Sequence, residues 1–218
     1  MPTPFTDRSH AGRLLAAELS SFAGHQPVVF GLPRCGVPVA YEVAQHLGAP
    51  LDVVLVRTVR APNDGGRLLA TILEGDPPEV RIDPDWDKAQ DVSRAWLDEQ
   101  VSKALGEVAA RRRRYRDGDR PVCSAGRIAI VVDQAIGPGH TMAGAIRLIR
   151  QSRPSMIVAA APVAAEASAE RFARQADRVV CLQRDAELGP LGRYYGKPEQ
   201  VTHEEALEWL ARAADEES

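Results

Sequence analysis

The chain has 218 residues, of which 44% are apolar and 26% charged, and its 27 lysines and arginines against 30 aspartates and glutamates give a formal net charge of −3. That balance excludes a disordered chain, a disulfide-stapled one and a nucleic-acid binder held by overall basic charge. At this length a single domain is expected, burying about 70% of the surface of its unfolded chain.

Residues 5–23 (FTDRSHAGRLLAAELSSFA) read as an amphipathic helix, with Ala11, Leu14, Leu15 and Leu19 at helical spacing and Gly24 as its stop. PVVFGLP is a short β-branched run, read as a buried strand, and RCGVP is the turn after it. VAYEVAQHLGA follows as a helix ending at Gly48, and LDVVLVRTV as a second buried strand. Residues 61–85, rich in Gly, Pro and Asp, hold LLATILEGD and VRID, the strands of a hairpin or flap. Residues 86–117 read as one long helix with the basic run ARRRRYR near its end. After the loop GDRPVCSAG come the strand RIAIVVD, the turn GPGH and the helix TMAGAIRLIRQS. The strand MIVAAAPVA, the helix SAERFARQA, the strand DRVVCLQ and the terminal helix HEEALEWLARAADEES complete the chain. No internal repeat and no dividing linker is evident. Strands alternating with helices predict an α/β fold with a parallel sheet of about five strands. Ligands of such sheets bind beyond the carboxyl ends of the strands.

No run approaches the roughly 20 apolar residues of a membrane helix, and MPTPFTDRSHAGRLL lacks the apolar core of a secretory signal. Cys35, Cys123 and Cys181 are widely spaced and form no CxxC pair, so reduced thiols in a cytoplasm are expected and a structural zinc site is not.

Function is sought in the turns at strand ends. In IAIVVDQAIGPGHTMAGAIRLI an apolar strand delivers Asp133, and Gly137-Pro138-Gly139-His140-Thr141 then opens a helix. Glycines let the backbone approach an oxyanion, and a helix N-terminus offers N–H donors and positive dipole, so a phosphate fits there. A plain βα turn whose glycines serve geometry alone is the alternative. The chain has no GxxxxGK[ST] loop and no GxGxxG fingerprint. In the turn Gly31–Pro38, Arg34 can fork onto phosphate oxygens and Gly36 permits an unusual backbone. Cys35 has no His or Asp partner in sequence and reads as a small buried residue rather than a nucleophile. Arg57 and Arg60 sit at or just past the end of the second strand, where they favour an anionic ligand, with ordinary surface charge as the alternative.

These segments together resemble type I phosphoribosyltransferases. VVDQAIGPGHTM is similar to the family's signature for phosphoribosyl pyrophosphate (PRPP). FTDRSHAGRLLAAEL, VVFGLPRCGVPVAYEVAQHLGAPLDVVLVRTVRAP, ARRRRYR and DRVVCL are similar to a bacterial subgroup of stand-alone phosphoribosyltransferase-domain proteins with a degenerate PRPP motif. The resemblance spans roughly residues 5–205. It implies a Rossmann-like core over about 25–185 of a single 1–218 domain, with a hood from the N-terminal helix, 61–85 and C-terminal segments. The implied reaction moves a 5-phosphoribosyl group from PRPP to a small acceptor with release of pyrophosphate and with Mg²⁺ held through PRPP, and by Asp133 if directly by the chain.

By the same resemblance Asp133 and Gln134 meet the ribose. Gly137, Pro138, Gly139, His140 and Thr141 cradle the 5′-phosphate, and Arg34, Cys35, Gly36 and Arg57 meet pyrophosphate. Four positions depart from the family pattern. Gln134 replaces a second acid and carries no charge, and Pro138 removes an N–H and a hydroxyl from the phosphate loop. Cys35 replaces a glycine, at a cost of roughly 1–2 kcal/mol if its φ must be positive. Thr58 stands where the subgroup tends to have Lys. These departures motivate an alternative: a catalytically silent phosphoribosyltransferase fold that binds a phosphorylated ligand as sensor or scaffold. No residue stands out as a general base. RNA contact through Arg111–Arg116 is disfavoured by the net charge, and the run reads as a solvated face. Trp86, Trp96 and Tyr194-Tyr195 read as packing residues before base platforms. A homodimer is the commonest assembly for such an enzyme.

Overall fold

In chain order the elements are α1 (Arg8–Glu18), β1 (Val28–Gly31), α2 (Val37–Leu47), β2 (Leu51–Val53), β3 (Val56–Arg60), β4 (Leu68–Leu73), β5 (Glu79–Ile82) and α3 (Arg94–Arg116), then β6 (Ile128–Val132), β7 (Ala135–Ile136), α4 (His140–Gln151), β8 (Met156–Ala165), α5 (Glu166–Phe172), β9 (Arg178–Asp185) and α6 (His203–Glu217). They come from a computed structural model that describes residues 5–116 and 121–217. The chain divides into two units, one reaching Val54 and resuming at Pro121, the other spanning Leu55–Arg120.

The first unit holds the parallel sheet, in the order β2-β1-β6-β8, with β9 on the far side of β8. β1 and most of β8 are buried apolar runs, as expected of strands covered on both faces. β7 prolongs the line of β6: Val132 pairs with Ala160 and Ala135 with Val163, in one unbroken register. Between them lie Asp133 and Gln134. The Asp133 N–H still donates to the Ala160 carbonyl at 3.1 Å. In a parallel ladder the return bond to the Asp133 carbonyl would come from residue 162, and Pro162 has no N–H to give. The ladder therefore opens at Asp133 without slipping. Leu15, Leu19 and Phe22 from the N-terminal helix region pack with Val39 and Val43 of α2 against Val29, Ile130 and Val158 of the sheet.

The predicted helix over 5–23 is shorter. Asp7 caps it by accepting the His10 N–H at 2.8 Å, and Phe5 instead bridges to Tyr195. Tyr194 and Tyr195 are both buried, with Phe5, Ala11 and Val163, which is the packing role expected of them.

The run LDVVLVRTV is two strands rather than one. Val54 still donates to Gly31, but the Leu55 N–H goes to the Glu74 carboxylate at 3.1 Å and its carbonyl accepts from Glu74. The hydrogen-bond partner changes in mid-run, so β2 ends in the parallel sheet and β3 begins in the second unit. There β3-β4-β5 form an antiparallel sheet that includes the predicted hairpin. Leu97, Ala104 and Val108 of α3 pack on Val59, Leu69 and Ile72, with Trp86 and Trp96 against the same cluster. The expected helix over 86–117 is broken into a short 3-10 turn at Trp86–Lys88 and α3. Asp91 between them has φ +59°, and the Ser93 hydroxyl accepts the Trp96 N–H. The basic run is not wholly a solvated face. Arg116 is 6% exposed at its side chain and forks onto Glu74 at 2.8 and 3.0 Å, and Arg112 donates to the Gly75 carbonyl.

Candidate functional site

The opened ladder at the end of β6 presents Asp133 as a half-buried carboxylate whose Oδ1 accepts the Gln134 N–H at 2.7 Å. Desolvation pushes its pKa up to about 7, against the pull of that N–H and of the Arg8 charge. The folded state thus keeps the proton up to about pH 7, whereas an unfolded aspartate releases it near 3.8. The native state binds more protons in that window, so this group's contribution to stability falls as pH rises through it. Asp133→Asn removes the penalty. It is expected to be more stable than wild type at pH 8 by about 1–2 kcal/mol, discounted for partial solvation, and no more stable at pH 4. Urea melts at the two pH values check this, and equal stabilities at pH 8 would mean a well-solvated carboxyl.

Gln134 is engaged by a residue from the far end of the chain. Its Oε1 accepts from Arg8 Nε at 2.9 Å. Arg8 is 7% exposed, its Nη1 and Nη2 donate to the Lys197 and Pro198 carbonyls, and its guanidinium lies 5.7 Å from the centre of the Tyr195 ring. The Tyr195 hydroxyl donates to the Gln134 carbonyl at 2.6 Å, and burial together with the nearby Asp133 charge raises its pKa. In sequence Arg8 is one of the charges opposite the apolar face of its helix. One signal marks it out: a cation in the first turn of a helix opposes the helix dipole and needs another reason to be there.

The segment 137–141 forms a closed turn onto α4. Gly139 is its N-cap with φ +69°, and a Cβ there would lie 2.6 Å from Phe172 Cζ and closer still to Cε2. Ser168 Oγ donates to the Gly137 carbonyl and Arg171 Nη2 to the Pro138 carbonyl, so α5 pins the turn from behind. With those carbonyls held, the Thr141 and Met142 N–H groups lie in the helix's first turn, where amides have no intrahelical acceptor. His140 is the first residue of α4, and Pro138 is exposed. Sequence reasoning misses Ser168 and Arg171 because nothing in a local motif marks a residue that holds a loop from another helix.

In the turn after β1 the left-handed residue is Arg34, at φ +67°, and not Cys35. Cys35 is buried beneath the Gln200–Val201 backbone, with the Val201 N–H 3.5 Å from its Sγ. Gly36 has ordinary φ, but a Cβ there would meet the Leu32 carbonyl at 2.6 Å and the Val132 carbonyl at 3.0 Å, so close approach of backbones requires the glycine. Half-buried Arg34 has no carboxylate partner among the described residues. Arg34, Asp133 and the 137–141 turn all follow carboxyl ends of adjacent parallel strands of the first unit. Arg57 lies on β3 of the second unit, ion-paired to Glu107 at 2.7 Å. Among the described residues no group of three or more His, Cys, Asp or Glu could hold a metal, and no helix is long and apolar enough to cross a membrane.

No family model matches the chain. Over 209 residues it is 36% identical to two proteins from Mycobacterium tuberculosis, strains CDC 1551 / Oshkosh and ATCC 25618 / H37Rv, each named "Putative phosphoribosyl transferase". The match covers 96% of this chain and 47% of theirs, so the chain spans about half the length of the curated relatives it matches. It is also similar to the crystal structure of TT1426 from Thermus thermophilus, at 35% identity and TM-score 0.78, covering 96% of this chain and 99% of that one. The AQ2163 protein from Aquifex aeolicus shares the fold at 12% identity and TM-score 0.51, over 85% of this chain and 78% of its own.

Proposed function

The chain belongs to the phosphoribosyltransferase family, and from that premise we propose that it takes a 5-phosphoribosyl group from PRPP and passes it to a small acceptor. The observation that carries this reading is the single βα turn in which Asp133 precedes a glycine-built loop ending on a helix N-terminus. In the reaction the bond from ribose C1 to pyrophosphate breaks, the acceptor's lone pair forms the new bond at C1, and pyrophosphate leaves with the bonding electrons. The transition state carries positive charge on the sugar, so the protein's share is positioning and electrostatics.

Asp133 accepts from the ribose hydroxyls. The first-turn amides of α4, with the Thr141 hydroxyl, take the 5′-phosphate. Arg34, with no carboxylate partner among the described residues and held in a backbone conformation that costs about 1–3 kcal/mol, waits for pyrophosphate, since such strain collects at ligand clamps. One isolated carboxylate fits a cation carried in on the ligand better than a resident metal centre. Asp133 would be the chain's contact to Mg²⁺, which supplies charge compensation for the pyrophosphate leaving group.

A second reading, ligand binding without turnover, is favoured by one observation. The Gln134 amide oxygen is engaged by Arg8, so the ribose end offers one free acid where the family pattern has two. Calorimetric titration with PRPP, with and without Mg²⁺, beside ribose 5-phosphate and pyrophosphate, tests the first reading. Micromolar PRPP binding that strengthens with Mg²⁺, followed by pyrophosphate release with some acceptor, is the expected result. Binding with no release across nucleobases, amines and alcohols would favour the silent reading. Binding of none of the three ligands would sink both.

A further inference from the structure

The ribose end contains a buried cation, Arg8, whose effect on Asp133 neither reading above uses. Arg8 reaches the site from α1 and uses all three guanidinium nitrogens: Nε donates to the side chain of Gln134, the neighbour of Asp133, and Nη1 and Nη2 to the Lys197 and Pro198 carbonyls. Its face rests against Tyr195, whose hydroxyl is tied to the Gln134 carbonyl. Groups from separate stretches of chain thus fix one guanidinium beside one carboxylate. A buried arginine held this way has little freedom to turn toward solvent.

We propose that Arg8 is the positioning residue of the ribose end. It holds the Gln134 amide away from the ligand and sets a fixed positive charge beside Asp133, leaving Asp133 alone to accept the sugar hydroxyls. This rests on Asp133 being the ribose residue. Where the family pattern pairs two acids, this site pairs one acid with one base, and the local charge moves from two negative to about neutral. A lone carboxylate serves two hydroxyls only when ionised, because the protonated acid gives up an acceptor and becomes a donor.

The groups facing Asp133 and Arg8 define the balance. Burial opposes ionisation of Asp133, and Arg8 from α1 favours it. The Tyr195 hydroxyl faces both, with the Cys35 thiol near it, and its raised pKa keeps it neutral at ordinary pH. Glu205 of α6 also feels the Arg8 charge, more weakly than its hydrogen bonds from Thr202. Arg8 is therefore the cation within this set that offsets the burial of Asp133.

The test follows the Asp133 carboxyl by ¹³C NMR in ligand-free protein from pH 5 to 9, alongside ribose 5-phosphate affinity over the same range. Wild type is compared with Arg8→Lys, which keeps the charge and loses the planar fork, and Arg8→Met, which keeps the apolar stem alone. In wild type, affinity is expected to rise with pH in step with the carboxyl's ionisation. In Arg8→Met both midpoints are expected to rise by about one pH unit, weakening binding at pH 7 about five- to tenfold while converging with wild type at pH 9. Arg8→Lys should keep the wild-type midpoint. Should Arg8→Met not fold, Gln134→Glu neutralises the Arg8 charge with the side chain in place and is expected to raise the midpoint likewise. Unchanged midpoints with a uniform loss of affinity would make Arg8 merely structural and overturn the proposal, while the ribose reading stood. A wild type that titrates but binds no ribose 5-phosphate at any pH would overturn the ribose reading itself, and the positioning role with it.

Discussion

Gly139→Ala is expected to cost about 2–4 kcal/mol of stability and to weaken ribose 5-phosphate binding about a hundredfold. Two independent constraints meet at this residue. Its φ of +69° is one that an alanine adopts only under strain. The new methyl would also overlap the Phe172 ring, standing 2.6 Å from Cζ and closer to Cε2. That ring is fully buried, so it cannot swing aside without opening the packing of α5. The loop must move instead, and a shift of about 1 Å in a ligand-positioning backbone suffices for a hundredfold loss. Gly137→Ala is the control. A Cβ there finds only Leu188 Cδ2 at 3.6 Å, an ordinary contact, and its φ is not left-handed. Thermal melts and ribose 5-phosphate titrations of both variants decide the matter. Similar behaviour of the two would mean that the turn is pliable and is not a preformed cradle.

Glu74→Ala should be the most damaging single change in the second unit, at about 3–5 kcal/mol, because it takes a buried carboxylate away from the buried Arg116 guanidinium. It also takes the acceptor from the Leu55 N–H, at the point where the chain leaves one sheet for the other. Glu74→Gln should fall between alanine and wild type, since its amide oxygen can still accept from Leu55 while the charge is gone. Trp86 and Trp96 both report on this unit, and a Trp209→Phe background makes fluorescence melts specific to it. A loss below about 1 kcal/mol would show that water reaches the pair and that it behaves as a surface salt bridge.

The alternation of strands and helices is legible because buried β-branched runs and amphipathic periodicity are local signals. LDVVLVRTV shows the limit of that reading. All its residues suit a strand, but nothing in hydrophobicity says that the partner changes from Gly31 to Glu74 between Val54 and Leu55. The break near residue 91 is encoded more openly, since Ser93 precedes Trp96 with helix-capping spacing, yet helical composition on both sides hides it. At the site, Asp133 and Gly139 are readable from residue type alone. The strain that a positive φ would have placed on Cys35 does not arise, because the left-handed residue of that turn is Arg34, and Cys35 is buried with its Sγ near the Val201 N–H. Arg8 cannot be read from any local pattern: its partner Gln134 lies 126 residues away, and only folding brings the two together.

Pro162 separates two tasks that a strand end usually shares. By withholding one rung from the middle of the sheet, it leaves the Asp133 carbonyl out of the ladder while the strands on either side of the gap stay in phase. The frame and the chemistry are thereby uncoupled. The Asp133 N–H still holds the ladder while the side chains of Asp133 and Gln134 take no part in it, so those side chains can be exchanged without disturbing the sheet that carries them. Gln134 and its partner Arg8 sit at this gap, where a side-chain hydrogen bond to the ligand end leaves the pairing on either side untouched.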